Sequence, residues 1–213
     1  KSPDNIRSIL YKNGILCNYH PTDGRMVLYT SKNKRFSPQL KGVSQDLFNE
    51  CNGLIINTKN LKILVTPPNS FRSNINSTIV DTNLQLNLYD IYSVDDGTLI
   101  NLYYWETSKS WRISTARSYD ITDSEWGGLS YKEVVKELLD LYQTNENQFY
   151  NSLDINTCYT FAFKHPSMHP FQEGLGHPIY KLWFIQSVTK GIVSCEFKNE
   201  FKIAGQTKFE FPN

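Results

Sequence analysis

Short runs of β-branched and aromatic residues, alternating with period two and parted by turn-forming residues, recur along most of this chain and set the limits on its fold. They span Arg25–Thr30, Leu54–Asn57, Leu61–Thr66, Leu86–Tyr92, Thr98–Trp105, Trp111–Thr115, Thr157–Lys164, Lys181–Ser187 and Gly191–Glu196, with a further run at Lys208–Phe211. Each is long enough for one strand, and Thr98–Trp105 and Trp111–Thr115, parted by the polar Glu106 to Ser110, read as a hairpin. Two segments have helical spacing instead. Ser2, Pro3 and Gly14 bracket a short opening helix with Ile6, Ile9 and Leu10 facing inward. Ser130 and Glu133 form a capping box ahead of Val134, Val135, Leu138, Leu141 and Tyr142, which predicts a helix over 131–142 followed by a polar loop from Gln143 to Gln148. Strands and helices mixed without regular βαβ alternation point to an α+β fold with mainly antiparallel sheets.

At 213 residues with 39% hydrophobic content, the chain is long enough for one globular domain over 1–213, with residues 1–44 supplying an N-terminal helix and strands. Twenty-two basic residues against twenty-one acidic give a net charge of +1, so any nucleic-acid site must be a local patch. Cys17, Cys51, Cys158 and Cys195 form no C-x-x-C pair, which argues against zinc and against a disulfide framework and points to a reducing compartment. The sequence has neither a long apolar run nor a secretory leader, so no membrane partner is expected. It opens on Lys1 rather than Met, as a fragment of a longer chain would.

The segment Tyr89-Asp90-Ile91-Tyr92-Ser93-Val94-Asp95-Asp96-Gly97-Thr98-Leu99-Ile100, followed by Trp111-Arg112-Ile113-Ser114-Thr115-Ala116-Arg117-Ser118, resembles RNA ligases of the bacteriophage type. In that family a strand leads into Lys-x-Asp-Gly, a hairpin follows, and a Trp-bearing strand ends at a Thr-Arg-Gly-Ser-like turn. Glu50-Cys51-Asn52-Gly53 and Val65-Thr66-Pro67-Pro68-Asn69-Ser70-Phe71 resemble its Cys-Arg-Gly strand and Pro-rich link. Cys158-Tyr159-Thr160-Phe161-Ala162-Phe163 and Leu182-Trp183-Phe184-Ile185 resemble its Tyr-Thr-Phe-Glu-Phe strand and the apolar strand after it. The resemblance covers residues 45–190, rests on five motifs in order, and extends to lysine-less sequences of large DNA viruses, to which this chain is similar. It implies the ATP-grasp-like nucleotidyltransferase fold of ligase adenylation domains.

The resemblance also implies what has been lost. An intact family member attacks ATP, with magnesium, through a lysine amine, and the matching position is Val94, which has no lone pair. The family's ribose-contacting Glu corresponds to Ala162 and its Cys-Arg-Gly arginine to Asn52. Its late Glu-Gly and Lys-x-Lys motifs have as candidates only Lys190-Gly191-Ile192-Val193 and Lys198-Asn199-Glu200-Phe201-Lys202. The expectation is a catalytically inactive module with no catalytic residue, no metal and no cofactor. It would reside in host-cell cytoplasm or virion and bind assembly partners or nucleic acid, its cleft filled by apolar groups such as Val94 or used for a partner. The alternative is an active nucleotidyltransferase using ATP and magnesium with a displaced lysine, Lys164 or Lys109.

Several residues carry two readings. Asp96 and Gly97 keep a tight turn, in which Asp96 either caps neighbouring amides or faces a nucleotide. Arg117 offers a guanidinium fork to phosphate or pairs with Asp120 or Asp123. Lys164 is a further candidate for a nucleotide or phosphate. Tyr104 and Trp105, with Lys109, Arg112 and Arg117, could stack bases and hold phosphates, although strand alternation sends half of such rings inward. Lys32-Asn33-Lys34-Arg35 and Lys41 read as a solvated loop able to touch a phosphate backbone. His165 and His169, four apart, would share a metal on a helix, but Pro166 and Pro170 forbid one, which leaves an ordered loop with both rings bonded to backbone groups; His177 lies eight residues beyond His169. A serine-hydrolase reading finds no G-x-S-x-G and no obvious nucleophile.

Overall fold

Antiparallel pairing dominates the computed structural model, which describes residues 3–30, 51–68, 97–168, 180–197 and Ile203. The expected strands at 86–92 and 208–211, the basic stretch 32–35 with Lys41, and Val94, Asp96, His169, His177 and 198–202 lie outside those residues. Helix α1 (Pro3–Lys12) leads into β1 (Ile15–Tyr19), β2 (Arg25–Thr30), β3 (Leu54–Asn57) and β4 (Lys62–Val65), hydrogen-bonded in the order β1-β2-β3-β4. A second sheet has the order β11-β10-β9-β5-β6, from β5 (Thr98–Trp105), β6 (Ser110–Ser114), β9 (Thr157–Lys164), β10 (Lys181–Thr189) and β11 (Ile192–Ser194). Between β6 and β9 come the short hairpin β7 (Glu125–Trp126) and β8 (Leu129–Ser130), then helices α2 (Tyr131–Leu141) and α3 (Glu146–Ser152). The protein is therefore α+β with mainly antiparallel sheets.

Side-chain parity sorts these elements into layers. On β2, Met26 and Leu28 face α1 with Ile15, Ile6 and Leu10, while Val27 joins Ile55, Val65, Tyr103, Trp105 and Cys158 between the sheets. On β5 and β9, Ile100, Leu102, Phe161 and Phe163 turn the other way, onto Val134, Val135, Leu138 and Leu139 of α2 and Phe149 of α3. Strands covered on both sides lose polar alternation, which is why β9 is buried from Thr157 to Phe163. Deep among them, burial pushes the Cys158 thiol up to about 12, against a smaller opposing hydrogen bond at Thr66.

The capping box at α2 forms as the sequence predicts: the Glu133 amide donates to Ser130 Oγ at 3.2 Å and the Ser130 amide to Glu133 Oε2 at 2.7 Å. That amide, together with the Ser130 hydroxyl, holds the Glu133 carboxyl below its ordinary range. Replacing Ser130 by alanine should cost about 1 kcal/mol, read as a lower urea midpoint at unchanged slope.

Three local expectations are corrected. Helix α3 starts at Glu146, inside the polar loop expected over 143–148, and runs on to Ser152; Asn145 Oδ1 caps the amides of Asn147 and Gln148, and within the helix only Phe149 is buried, too little to print a period. Strand β1 follows α1 directly and owes its existence to pairing with β2, from Ile15↔Thr30 to Tyr19↔Met26. Ile9 is 51% exposed rather than inward, because the stripe of α1 that meets the sheet holds Ile6 and Leu10.

Candidate functional site

The three segments that carry the central part of the resemblance become neighbours. Strand β5 pairs antiparallel with β9, Thr98↔Phe163 and Leu99↔Ala162, and β9 pairs with β10, Ala162↔Trp183 and Lys164↔Lys181. The turn residue Gly97 thus sits at the edge of a surface built from Ala162 and Trp183. Ala162, Trp183 and Ile185 form a small apolar cluster of their own, exposed by only 2%, 3% and 6%. The Trp183 ring lies so close over Gly97 that a β-carbon there would fall 2.6 Å from its Cη2 and 2.9 Å from the Phe163 carbonyl oxygen. Lys181 Nζ stands 5.2 Å from the same ring centroid, a cation–π contact.

Further along the same face the buried side chains turn polar. Ser114, Asn101, Thr160 and Gln186 occupy matched positions on β6, β5, β9 and β10. Thr160 Oγ1 donates to Asn101 Oδ1 at 2.8 Å, and Gln186 Nε2 donates to the Thr66 carbonyl at 3.4 Å. Ser114 Oγ is buried and has no partner among the described residues.

The Cys51-Asn52-Gly53 and Thr115–Ser118 segments also converge. The Gly53 amide donates to the Leu28 carbonyl at 2.8 Å, its φ is +109°, and a β-carbon would lie 2.9 Å from Ala116 Cα. Asn52 is half-buried, and Arg117 is exposed, its carbonyl accepting from Asn18 Nδ2 at 2.9 Å. The expected ion pair of Arg117 with Asp120 is a correction: Asp120 Oδ2 is taken by Arg25 Nη1 at 2.7 Å and faces Arg112 Nη1 at 3.7 Å.

Arg25 is the residue that sequence reasoning missed. Its guanidinium, 8% exposed, meets Asp23 Oδ2 at 2.6 Å, Asp120 Oδ2 at 2.7 Å and Tyr103 Oη at 3.0 Å, and lies against the rings of Trp105 and Tyr119. Burial works against the charge, yet the bonds to Asp23, Tyr103 and Asp120 outweigh it and leave the guanidinium pKa raised. Burial likewise pushes the Tyr103 hydroxyl up, and that hydroxyl donates to the Tyr119 carbonyl at 2.6 Å. The only sign in the sequence is an arginine opening an apolar strand just after Asp23-Gly24.

The aromatic–basic constellation divides. Trp105 is 4% exposed and Tyr103 1%, packed between the sheets, so the expectation of a base-stacking face on Trp105 is corrected: its ring is spent on the core. Tyr104, on the opposite face of β5, meets the Trp111 ring edge-on at 5.7 Å. Lys109 is exposed at the hairpin tip with φ +49°, Arg112 is partly buried opposite Tyr103, and Lys164 is partly buried at the far end of the sheet. These residues do not form one surface. Strand β5 alone spans roughly 27 Å between Gly97 and Lys109.

Beyond Lys164, His165 is 3% exposed and uses both ring nitrogens. Nδ1 contacts Ser167 Oγ at 2.6 Å and accepts from the Ser167 amide at 3.2 Å, and Nε2 lies 3.0 Å from Glu137 Oε2 on α2. The expected backbone bond of His165 is present, joined by contacts to the side chains of Ser167 and Glu137. Among the described residues no three His, Cys, Asp or Glu side chains come together as metal ligands, and no helix is long and apolar enough to cross a membrane.

No family model matches the chain. Curated proteins of African swine fever virus do: those bearing the name "Putative RNA-ligase" in Kenyan, Malawian and South African isolates are 29%, 28% and 29% identical over 152, 152 and 153 residues. Each match covers 64% of this chain and 33% of the relative, so the chain spans about a third of the length of the curated relatives it matches. The similarity ties it to viral RNA-ligase-like proteins.

Proposed function

We propose that this chain is an RNA-ligase-like domain with the nucleotidyltransferase fold that has lost adenylation chemistry and works as a binding or structural module, in a viral nucleic-acid-processing or virion assembly. The observation that carries the reading is the apolar surface beside Gly97. At the position that the resemblance assigns to a ribose-binding carboxylate stands Ala162, 2% exposed, and the Trp183 indole is seated on Gly97 next to it. A methyl group and an indole face offer nothing to a ribose hydroxyl, and they remove the water that a retained polar pocket would hold. Val94 in place of the nucleophilic lysine and Asn52 in place of the arginine point the same way. These residues do not fit ATP held for covalent transfer.

The name borne by the viral relatives favours a second reading, an enzyme with a displaced lysine. Lys109 sits at the wrong end of β5 for that role, and Lys164, which follows the Phe163 that pairs with Thr98, stands on the neighbouring strand beside Gly97 rather than at the strand-to-turn position that aims the family's nucleophile. Near-attack placement within about 3–3.5 Å of phosphorus is a stringent demand.

The test is incubation of the purified chain with α-labelled ATP or GTP and magnesium, followed by denaturing separation. Neither the wild-type chain nor Val94→Lys should retain label, because the lysine alone leaves Ala162 and Asn52 unchanged. Covalent label on the wild type would establish the enzyme reading, and label on the single mutant would overturn this account of the site.

A further inference from the structure

On the helix-facing side of the five-stranded sheet, away from the Gly97 surface, Glu137, His165 and Ser167 make a chain of hydrogen bonds with a fixed direction. The Ser167 backbone N–H can only donate, and it points at His165 Nδ1. That nitrogen therefore carries the lone pair, and the Ser167 hydroxyl, 2.6 Å away, donates its proton to it. The ring proton resides on Nε2 and is given to the Glu137 carboxylate at 3.0 Å. The direction, hydroxyl to imidazole to carboxylate, is that of an activated serine.

The placement is rigid where it must be and open where a substrate would enter. His165 is buried with its ring edge-on to Tyr180 at 5.1 Å. The turn His165-Pro166-Ser167-Met168 is closed by the Met168 amide on the His165 carbonyl at 3.0 Å, with proline pre-setting its second position. Ser167 keeps part of its surface exposed. Its neighbour is the Gly127-Gly128 turn, where a β-carbon on Gly127 would come within 2.2 Å of the Ser167 carbonyl oxygen and one on Gly128 would meet nothing within 4 Å.

We propose that Ser167 is a nucleophile for small carboxylic esters, with His165 as its general base and Glu137 as the positioning residue. As Ser167 Oγ bonds to the carbonyl carbon, its proton passes to His165 Nδ1, which at that step gives up the hydrogen bond from the Ser167 amide, and Glu137 stabilises the resulting imidazolium through Nε2–H. The tetrahedral adduct then breaks its bond to the alcohol oxygen, which leaves with the proton from Nδ1. Water repeats the exchange on the acyl-serine and releases the acid, restoring Ser167. This activity is independent of the ligase-like reading.

The experiment treats the chain with a fluorophosphonate, maps the adduct by peptide mass, and measures p-nitrophenyl acetate hydrolysis alongside. A single adduct on Ser167, with both signals abolished in Ser167→Ala, is expected. Glu137→Gln should slow both by about a hundredfold at unchanged Tm, since removing the carboxylate partner weakens general-base catalysis without touching the core. A purely structural role for Glu137 would leave labelling rates unmoved. No adduct on Ser167, equal rates in Glu137→Gln, or acetate hydrolysis that survives Ser167→Ala would each overturn the proposal and leave these contacts as closure of a turn.

Discussion

Replacing Arg25 by methionine should destabilise the protein by about 3–5 kcal/mol, the usual consequence of removing one partner from a buried, hydrogen-bonded charge cluster. The side chain reaches from β2 in the four-stranded sheet to Tyr103 on β5 and to Asp120 beyond β6. Methionine fills much of the apolar volume against Trp105 and Tyr119, so the loss isolates the charge and its hydrogen bonds. Asp23 and Asp120, 15% and 17% exposed with the guanidinium in place, would both lose its bonds, and only Asp120 would keep a nearby guanidinium, Arg112 at 3.7 Å. Lysine at the same position should recover less than half of the deficit, because an ammonium cannot serve both carboxylates and the phenol with the geometry of a planar fork. Urea unfolding with tryptophan fluorescence measures this directly. A shift below about 1 kcal/mol would mean that water replaces the guanidinium and that the sheets dock through Val27, Ile55, Val65, Tyr103 and Trp105 alone.

Gly53→Ala should cost about 2–4 kcal/mol, from two penalties that act at once. At φ +109° the backbone lies where an L side chain is strained, and the new methyl would stand 2.9 Å from Ala116 Cα, a backbone atom that cannot rotate aside. Relief requires the β3 entry to move away from the 115–117 turn, which also pulls on the Leu28 hydrogen bond. Chemical denaturation gives the magnitude. Gly128→Ala serves as a control for the backbone effect, since that glycine also has positive φ, +86°, but has nothing within 4 Å to collide with. If both variants lose the same stability, the close approach to Ala116 contributes nothing and the packing argument is wrong.

Much of the fold was legible wherever one segment carried its own signal. The capping box of Ser130 and Glu133 and the hydrophobic spacing behind it define α2 from local chemistry alone. The hairpin from Trp105 to Ser110 followed from alternation and a polar tip. Helix α3 escaped because a single buried phenylalanine sets no period, and Ile9 was misjudged because a helical stripe does not say which of its edges meets a sheet.

The candidate sites divide along the same line. The resemblance placed the segments holding Gly97, Ala162 and Trp183 in order along the chain, and only the pairing of β5 with β9 and β9 with β10 makes them neighbours. The aromatic–basic run of β5 and β6 illustrates the opposite case. Sequence offered Trp105 as a stacking ring, but a strand between two layers spends every second side chain on each, and Trp105 went to the core with Arg25 beneath it.

By itself, then, the sequence determined the class of the fold and the order of most of its strands along the chain, because periodicity and caps are properties of residues in place. Only the tertiary structure decided that Arg25 joins two aspartates from different parts of the chain, that an indole occupies the space over Gly97, and that Glu137 meets His165 from 28 residues away. Those are relations between distant segments, and their energies exist only once burial has removed the water that would otherwise satisfy each group separately.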